Sequence, residues 1–325
     1  MTTAEPNDWI AVDWGTTNMR AYLVDAVGAV RAPAQPGPGM GSLSAADYEA
    51  TLLAAVEPWI DRRGRDDPVD VLVCGMAGAR QGWHEAPYAA IPTRLDGLLA
   101  QAVAPSTRDR RLRVRIVPGL SSAPEANDPV SIGGRFDVMR GEETQLLGLL
   151  VRENLQDALV CLPGTHSKWV QLTGGVVTNF ATHMTGELFA LLSEHSILRH
   201  SMDRNWHDEA FVLGNRAGEF EPLRELFGIR ASGLLSDPAP GSARAFLSGL
   251  LIGAEIDTAI KEDAPVSTVH IVGTGPLADR YAEAVRLHGR DPVLHDGARL
   301  AVAGLTAMRV EPRPAPDLRG RGGTS

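Results

Sequence analysis

The chain has 325 residues, about twice the commonest domain length, so two domains are expected. Lysine and arginine number 31 against 40 aspartates and glutamates, and the net charge of −9 argues against a general nucleic-acid binder. With 44% hydrophobic and 22% charged residues the chain can build ordinary cores, while two cysteines, Cys74 and Cys161, exclude a disulfide scaffold and a cysteine-rich zinc module. No apolar run approaches the ~18 residues of a membrane span. The opening MTTAEPNDW holds no apolar signal core, so a cytoplasmic location without membrane or nucleic-acid partners is expected.

In chain order, residues 10–25 (IAVDWGTTNMRAYLVD) read as strand, Gly-Thr turn, strand. A Pro/Gly-rich loop follows, then a helix opened by Ser44 with Asp47 three residues on, its apolar face carrying Tyr48, Leu52, Ala55, Val56 and Trp59. Strands are expected at 69–74 and 113–117, with a helix at 92–104 between them. Residues 118–135 (PGLSSAPEANDPVSIGGR) predict an irregular excursion. Next comes an apolar helix carrying Leu146, Leu147 and Leu150, then a second hairpin at 159–174 (LVCLPGTHSKWVQLTG). Helices at 185–198 and 242–261, a strand at TVHIVG and helices at 277–288 and 297–310 complete the pattern; the tail after Arg309 is expected to be disordered.

The two hairpins echo one another at a shift of 149 residues, with Gly15 on Gly164, Thr16 on Thr165 and Asn18 on Ser167. Each half reads β-β-β-α-β-α-β-α, a meander joined to crossover units. The expected division is 1–141, 142–310 and a tail, 311–325.

Chemistry is concentrated in a few turns. Around Asp13-Trp14-Gly15-Thr16-Thr17, backbone N–H groups and hydroxyls can cradle an anion, and Asp13 can hold Mg²⁺ through water. In the second turn Gly164, Thr165, His166 and Ser167 offer donors to phosphate oxygens, and Lys168 can neutralise charge in transfer. Leu162 stands where the first turn has Asp13, so one metal carboxylate is expected. Glu142 and Glu143 open a helix just ahead of that turn, as candidate bases kept ionised by the helix dipole. In CGMAGARQGWHEAPY, Gly75 and Gly78 permit a turn, and Arg80, Gln81 and Trp83 suit a small polar substrate, Arg80 its carboxylate. Gly273 and Gly275 follow a strand and suit close approach to adenosine or its α-phosphate; Ala278 interrupts a full dinucleotide fingerprint. His195, His200 and His207 lack metal-ligand spacing, and neither G-x-S-x-G nor a Walker loop occurs.

These residues resemble the hexokinase–actin–heat-shock ATPase superfamily. More specifically, DWGTTNMRA, GMAGARQGWHEAPY, DVMRGEETQLLG, LPGTHSKWV and FATHMTGELFALLSEHSIL are similar to the 2-dehydro-3-deoxygalactonokinases, over residues 9–305. The resemblance implies an α/β fold of two actin-like (ribonuclease H-like) domains, each a mixed five-stranded sheet flanked by helices, with an interdomain cleft. It implies transfer of the ATP γ-phosphate to the 6-hydroxyl of 2-dehydro-3-deoxy-galactonate with Mg²⁺, in sugar-acid catabolism. It points to Glu143 as base over Glu142, with Asp137 a third candidate. ATP is then expected between the two Gly-Thr turns and the sugar acid between the Arg80–Trp83 loop and Glu143, with Arg20, Arg80, Arg140 and Lys168 meeting the anions. A homo-oligomer is compatible with this reading. The alternatives are an actin-like ATPase or sensor without kinase activity and a polyphosphate- or pyrophosphate-hydrolysing relative; a nicotinamide dehydrogenase is more distant, because its glycine pattern is incomplete.

Overall fold

Every residue of β1 (Trp9–Trp14) except Asp13 is buried in the computed structural model, which describes residues 4–5, 7–60, 67–123, 136–261 and 267–309. Burial on both faces marks a central strand. β1 pairs antiparallel with β2 (Asn18–Val24), which carries β3 (Val30–Pro33) and, at its start, β4 (Gly37–Pro38). After α1 (Tyr48–Ile60), β5 (Val69–Gly75) joins parallel to β1. The chain then makes β6 (Tyr88–Ala90) and β7 (Thr93–Arg94) before β8 (Leu112–Ile116) closes the first sheet, in the order β3-β2-β1-β5-β8. β9 (Gly119–Ser122) and β10 (Asp137–Met139) form a separate three-stranded sheet with β6.

α2 (Glu142–Glu153) leads into the antiparallel meander β11 (Ala158–Leu162), β12 (Ser167–Thr173) and β13 (Val176–His183). Four helices follow, α3 (Thr185–Glu194), α4 (Asp208–Gly218), α5 (Pro222–Leu235) and α6 (Ser242–Lys261). Then β14 (Thr268–Val272), α7 (Pro276–Leu287), β15 (Asp291–His295) and α8 (Gly297–Arg309) end the described chain. The order β15-β14-β11-β12-β13 repeats the first sheet strand for strand, with antiparallel and parallel pairs in the same places. That shared order is the ribonuclease H-like topology of the actin class, and it appears twice.

Period-two alternation assigns the faces. Ile10, Val12 and Trp14 pack with Tyr48, Leu52 and Val56 of α1, whereas Trp9 and Ala11 join a core shared by α2, α8 and one face of the second sheet. The other face of that sheet is covered by α4, α6 and α7 through Phe211, Ile252, Ile256 and Tyr281. The layers therefore run α1, first sheet, α2 with α8, second sheet, outer helices. α8 comes from the second half of the chain yet packs on β1, and β7, from the first half, is an edge strand of the second sheet.

Several expectations need correction. Each of the two large sheets has six strands, because β4 and β7 add one short edge strand apiece to the common five. Residues 92–104 form no α-helix: Thr93–Arg94 pairs with β13, and Gly97 precedes a single 3-10 turn, Leu98–Gln101. The excursion at 118–135 begins as a strand, β9, and residues 124–135 lie outside the described residues, as does the tail beyond 309. β15, α4 and α5 are additions to the expected elements. Among the described residues no helix is long and apolar enough to cross a membrane.

Candidate active site

The C-terminal ends of β1, β5, β11 and β14, and the residue after β15, open into one cleft of about 920 Å³. Carboxyl ends of parallel strands are where open α/β sheets bind ligands. Both Gly-Thr turns line it, through Gly15 and Thr16 on one side and Gly164, Thr165 and His166 on the other. The first turn closes with Gly15 N–H donating to the Asn18 carbonyl at 2.9 Å. It is braced from behind by Gly41 N–H on the Thr16 carbonyl at 2.8 Å; Thr17 is exposed and outside the cleft lining. The second turn is braced by the start of α3, where Glu187 N–H donates to the Thr165 carbonyl and the Glu187 carboxylate holds His166 Nε2.

Asp13, the last residue but one of β1, lies in the cleft. Burial pushes its carboxyl above the usual range, and Arg20, whose Nη1 stands 3.6 Å from Oδ2, opposes that rise. Glu142 and Glu143 separate sharply. Glu142 faces the cleft one helical turn from Gln145, with Oε2 accepting Arg140 N–H at 2.9 Å; burial raises its pKa and the Lys168 charge lowers it. Glu143 has no exposure and lies outside the cleft lining, its Oε1 accepting from Thr144 Oγ1 at 3.2 Å. Its Oε2 accepts Gly141 N–H at 2.6 Å, and burial together with Glu142 pushes its pKa up to about 8. The junction is tight: Gly141 sits at φ 106, a conformation that favours glycine, with Gly75 directly opposite. Asp137 lies outside the cleft lining and ties β10 to β13 by accepting from Thr182 N–H and Oγ1, each at 2.6 Å.

The remaining expected residues divide. Lys168, 5% exposed, reaches the cleft and donates to the His166 carbonyl at 3.3 Å. Arg20, Arg140 and Gly273 also line it. Ser167 does not: it is buried on β12 and donates to the His183 carbonyl. Gly275 caps α7 beyond the cleft lining. Contrary to expectation, Arg80 is exposed and paired with Glu85 at 3.7 Å, Gln81 faces solvent, and Trp83 packs against Trp14 and Tyr48. Arg80 and Gln81 turn outward, and Trp83 turns into the core, because the loop folds on itself, Trp83 and His84 N–H both donating to the Ala77 carbonyl. A second cavity of about 380 Å³ shares Gly164 with the cleft and is lined by Phe189, Trp206, Arg244 and Leu277.

The family model described as 2-keto-3-deoxy-galactonokinase matches residues 13–308. The chain belongs to this kinase family. A protein of Rhizobium meliloti (strain 1021) named "Probable 2-dehydro-3-deoxygalactonokinase" is 38% identical, covering 94% of this chain and 97% of its own. The 2-dehydro-3-deoxygalactonokinase of Escherichia coli (strain K12) is 34% identical, over 93% and 94%. A Sinorhizobium meliloti crystal structure, assigned provisionally to the same activity, superposes with a TM-score of 0.81 at 37% identity, over 92% of this chain and 97% of that one.

In this kinase the cleft also takes Tyr88, Gln145, Thr274 and Asp296, none of them singled out in the sequence. Asp296 caps α8, accepting Ala298 N–H at 2.9 Å, and its signal is the Asp-Gly step just past a strand end. Gln145 is legible as the residue three beyond Glu142 on one helical face.

The buried Glu143 has a consequence for stability. The folded kinase holds a proton up to about pH 8 that the unfolded chain releases near 4.5, so stability falls as pH rises through that window. Glu143→Gln, which mimics the neutral acid, is expected to flatten most of the decline in Tm between pH 5 and pH 9. Parallel Tm profiles for the variant and the parent would refute a buried neutral Glu143.

Proposed function

We propose that this kinase transfers the γ-phosphoryl group of ATP to the 6-hydroxyl of 2-dehydro-3-deoxy-galactonate, with Glu142 as general base. The observation that carries the reading is the position of Glu142, the one acid of the Glu142–Glu143 pair in the cleft, with Lys168 beside it and a Gly-Thr turn on either side. Glu143 is a poor base by comparison, protonated at neutral pH and shut away from ligand. Glu142 takes the hydroxyl proton as the oxygen attacks phosphorus and ADP leaves; Lys168 and the turn N–H groups offset charge on the phosphoryl oxygens.

Mg²⁺ suits the residues present. Among the described residues no cluster of three or more metal-type ligands occurs, and Mg²⁺ characteristically binds one or two carboxylates plus water and phosphate. Asp13, half-buried and only loosely paired, is the carboxylate that would hold it, and the ion would supply further charge neutralisation at the phosphates. The cavity lined by Phe189, Trp206 and Leu277 suits the nucleoside, since it adjoins the second turn and offers apolar and aromatic faces. Residues 1–141 and 142–310 are the moving lobes in this reading, and their closure excludes water. Both cysteines are unpaired and buried, in keeping with a cytoplasmic setting.

A coupled ADP-release assay against 2-keto-3-deoxy sugar acids of both galacto and gluco configuration tests the proposal. The galacto acid is expected to give the highest kcat/KM, with phosphorus NMR locating the new ester at C6. ADP release no faster with any acid than with water alone would overturn it.

A further inference from the structure

We propose that Arg140 reads the carboxylate of the substrate, and that the loop of residues 75–88 is the socket that holds Arg140 rather than a surface that touches substrate. The proposal rests on the sugar-acid kinase reading above. Arg140 joins β10 to α2, is 8% exposed, and lines the cleft two residues before Glu142. Its guanidinium lies over the Tyr88 ring at 4.2 Å, and Nη2 donates to the Ala86 carbonyl at 2.8 Å. Nε and Nη1 have no hydrogen-bond partner among the described residues.

A buried guanidinium with unmet donors is costly unless a ligand supplies the acceptors. Its planar, permanently charged fork suits a carboxylate better than a hydroxyl or carbonyl. The socket is built for this side chain. Ala86 N–H donates to the Gly78 carbonyl at 2.9 Å, which turns the Ala86 carbonyl and the Tyr88 ring toward Arg140. A Cβ on Gly78 would stand 2.7 Å from Nη1, so only glycine leaves the guanidinium its place. Trp83 anchors the same loop against Trp14 and Tyr48, with ring centroids 6.1 and 6.0 Å apart. The motif thus carries specificity through backbone and packing, while Arg80, the residue whose charge first suggests the role, faces water.

The rival role for Arg140 is a structural counter-charge to Glu143. The experiment compares the sugar acid with its C1 primary amide, which keeps every hydroxyl and removes the charge. The wild-type kinase is expected to favour the acid by about 100-fold in kcat/KM, and Arg140→Gln to reduce that preference to within about threefold, by raising KM for the acid alone. Gly78→Ala, which keeps the arginine but crowds Nη1, is expected to lose at least half of the preference on a logarithmic scale. A wild type that uses the amide as well as the acid overturns the proposal without any variant. Equal losses on acid and amide in Arg140→Gln overturn it in favour of the counter-charge role. Should the wild type phosphorylate no sugar acid, calorimetric titration with acid and amide decides: tighter binding of the acid, lost in Gly78→Ala, supports the carboxylate site and sinks only the kinase reading, and equal binding sinks the carboxylate site.

Discussion

Glu142→Gln is expected to lower kcat by about 10²-fold or more while leaving KM for ATP nearly unchanged. The amide cannot take the proton of the attacking hydroxyl, but the nucleotide is held by turns the substitution does not touch. The pH profile sharpens the test. A base must be ionised to act, and burial raises the Glu142 pKa, so the acid limb of kcat lies at higher pH than for an ordinary glutamate. Lys168 opposes that rise, so Lys168→Met is expected to move the acid limb to still higher pH, besides lowering the plateau. Glu143→Gln should leave the limb in place, since Glu143 is closed off from the cleft. Near-normal turnover in Glu142→Gln, or an acid limb that follows Glu143, would return the role to the buried acid.

Asp13→Asn is expected to reduce kcat/KM by about 10³-fold at millimolar Mg²⁺ and to raise the half-saturating Mg²⁺ concentration at least tenfold. Charge stabilisation at the transferring group is commonly the largest catalytic contribution, and Asp13 is the carboxylate at the end of β1 on the side of the first turn. The variant keeps the size and hydrogen-bonding reach of the side chain and removes the charge alone. It also frees Arg20, which sits 3.6 Å away, so Arg20→Gln serves as the control. If loss of the Arg20 pair were the cause, Arg20→Gln would reproduce the effect. An unchanged Mg²⁺ response in Asp13→Asn would remove this residue from the metal site.

The duplicated hairpin was legible because its signal is local. Gly15-Thr16 and Gly164-Thr165 each follow an apolar strand, and both turns line one cleft. The choice between the two glutamates was partly legible. Leu146, Leu147 and Leu150 lie three, four and seven residues after Glu143, which puts Glu143 in phase with the apolar face and leaves Glu142 off it. The superfamily resemblance, which points to Glu143 as base, runs against this phase. Arg80 misled for a different reason: a charged residue between glycines looks like a ligand contact, yet its loop curls back through the Ala77 and Gly78 carbonyls and leaves Arg80 outside.

From the sequence alone came the paired turns, the strand and helix alternation of each half, and the residue types that phosphoryl transfer requires, because periodicity and turn chemistry depend on neighbours a few positions apart. Tertiary structure alone decided which carboxylate meets the cleft, which arginine is left with unpaired buried donors, and how β7 and α8 cross between the halves. Those outcomes depend on contacts such as Arg140 with Ala86, 54 residues apart, where burial and unmet hydrogen bonds exist only once the layers have packed.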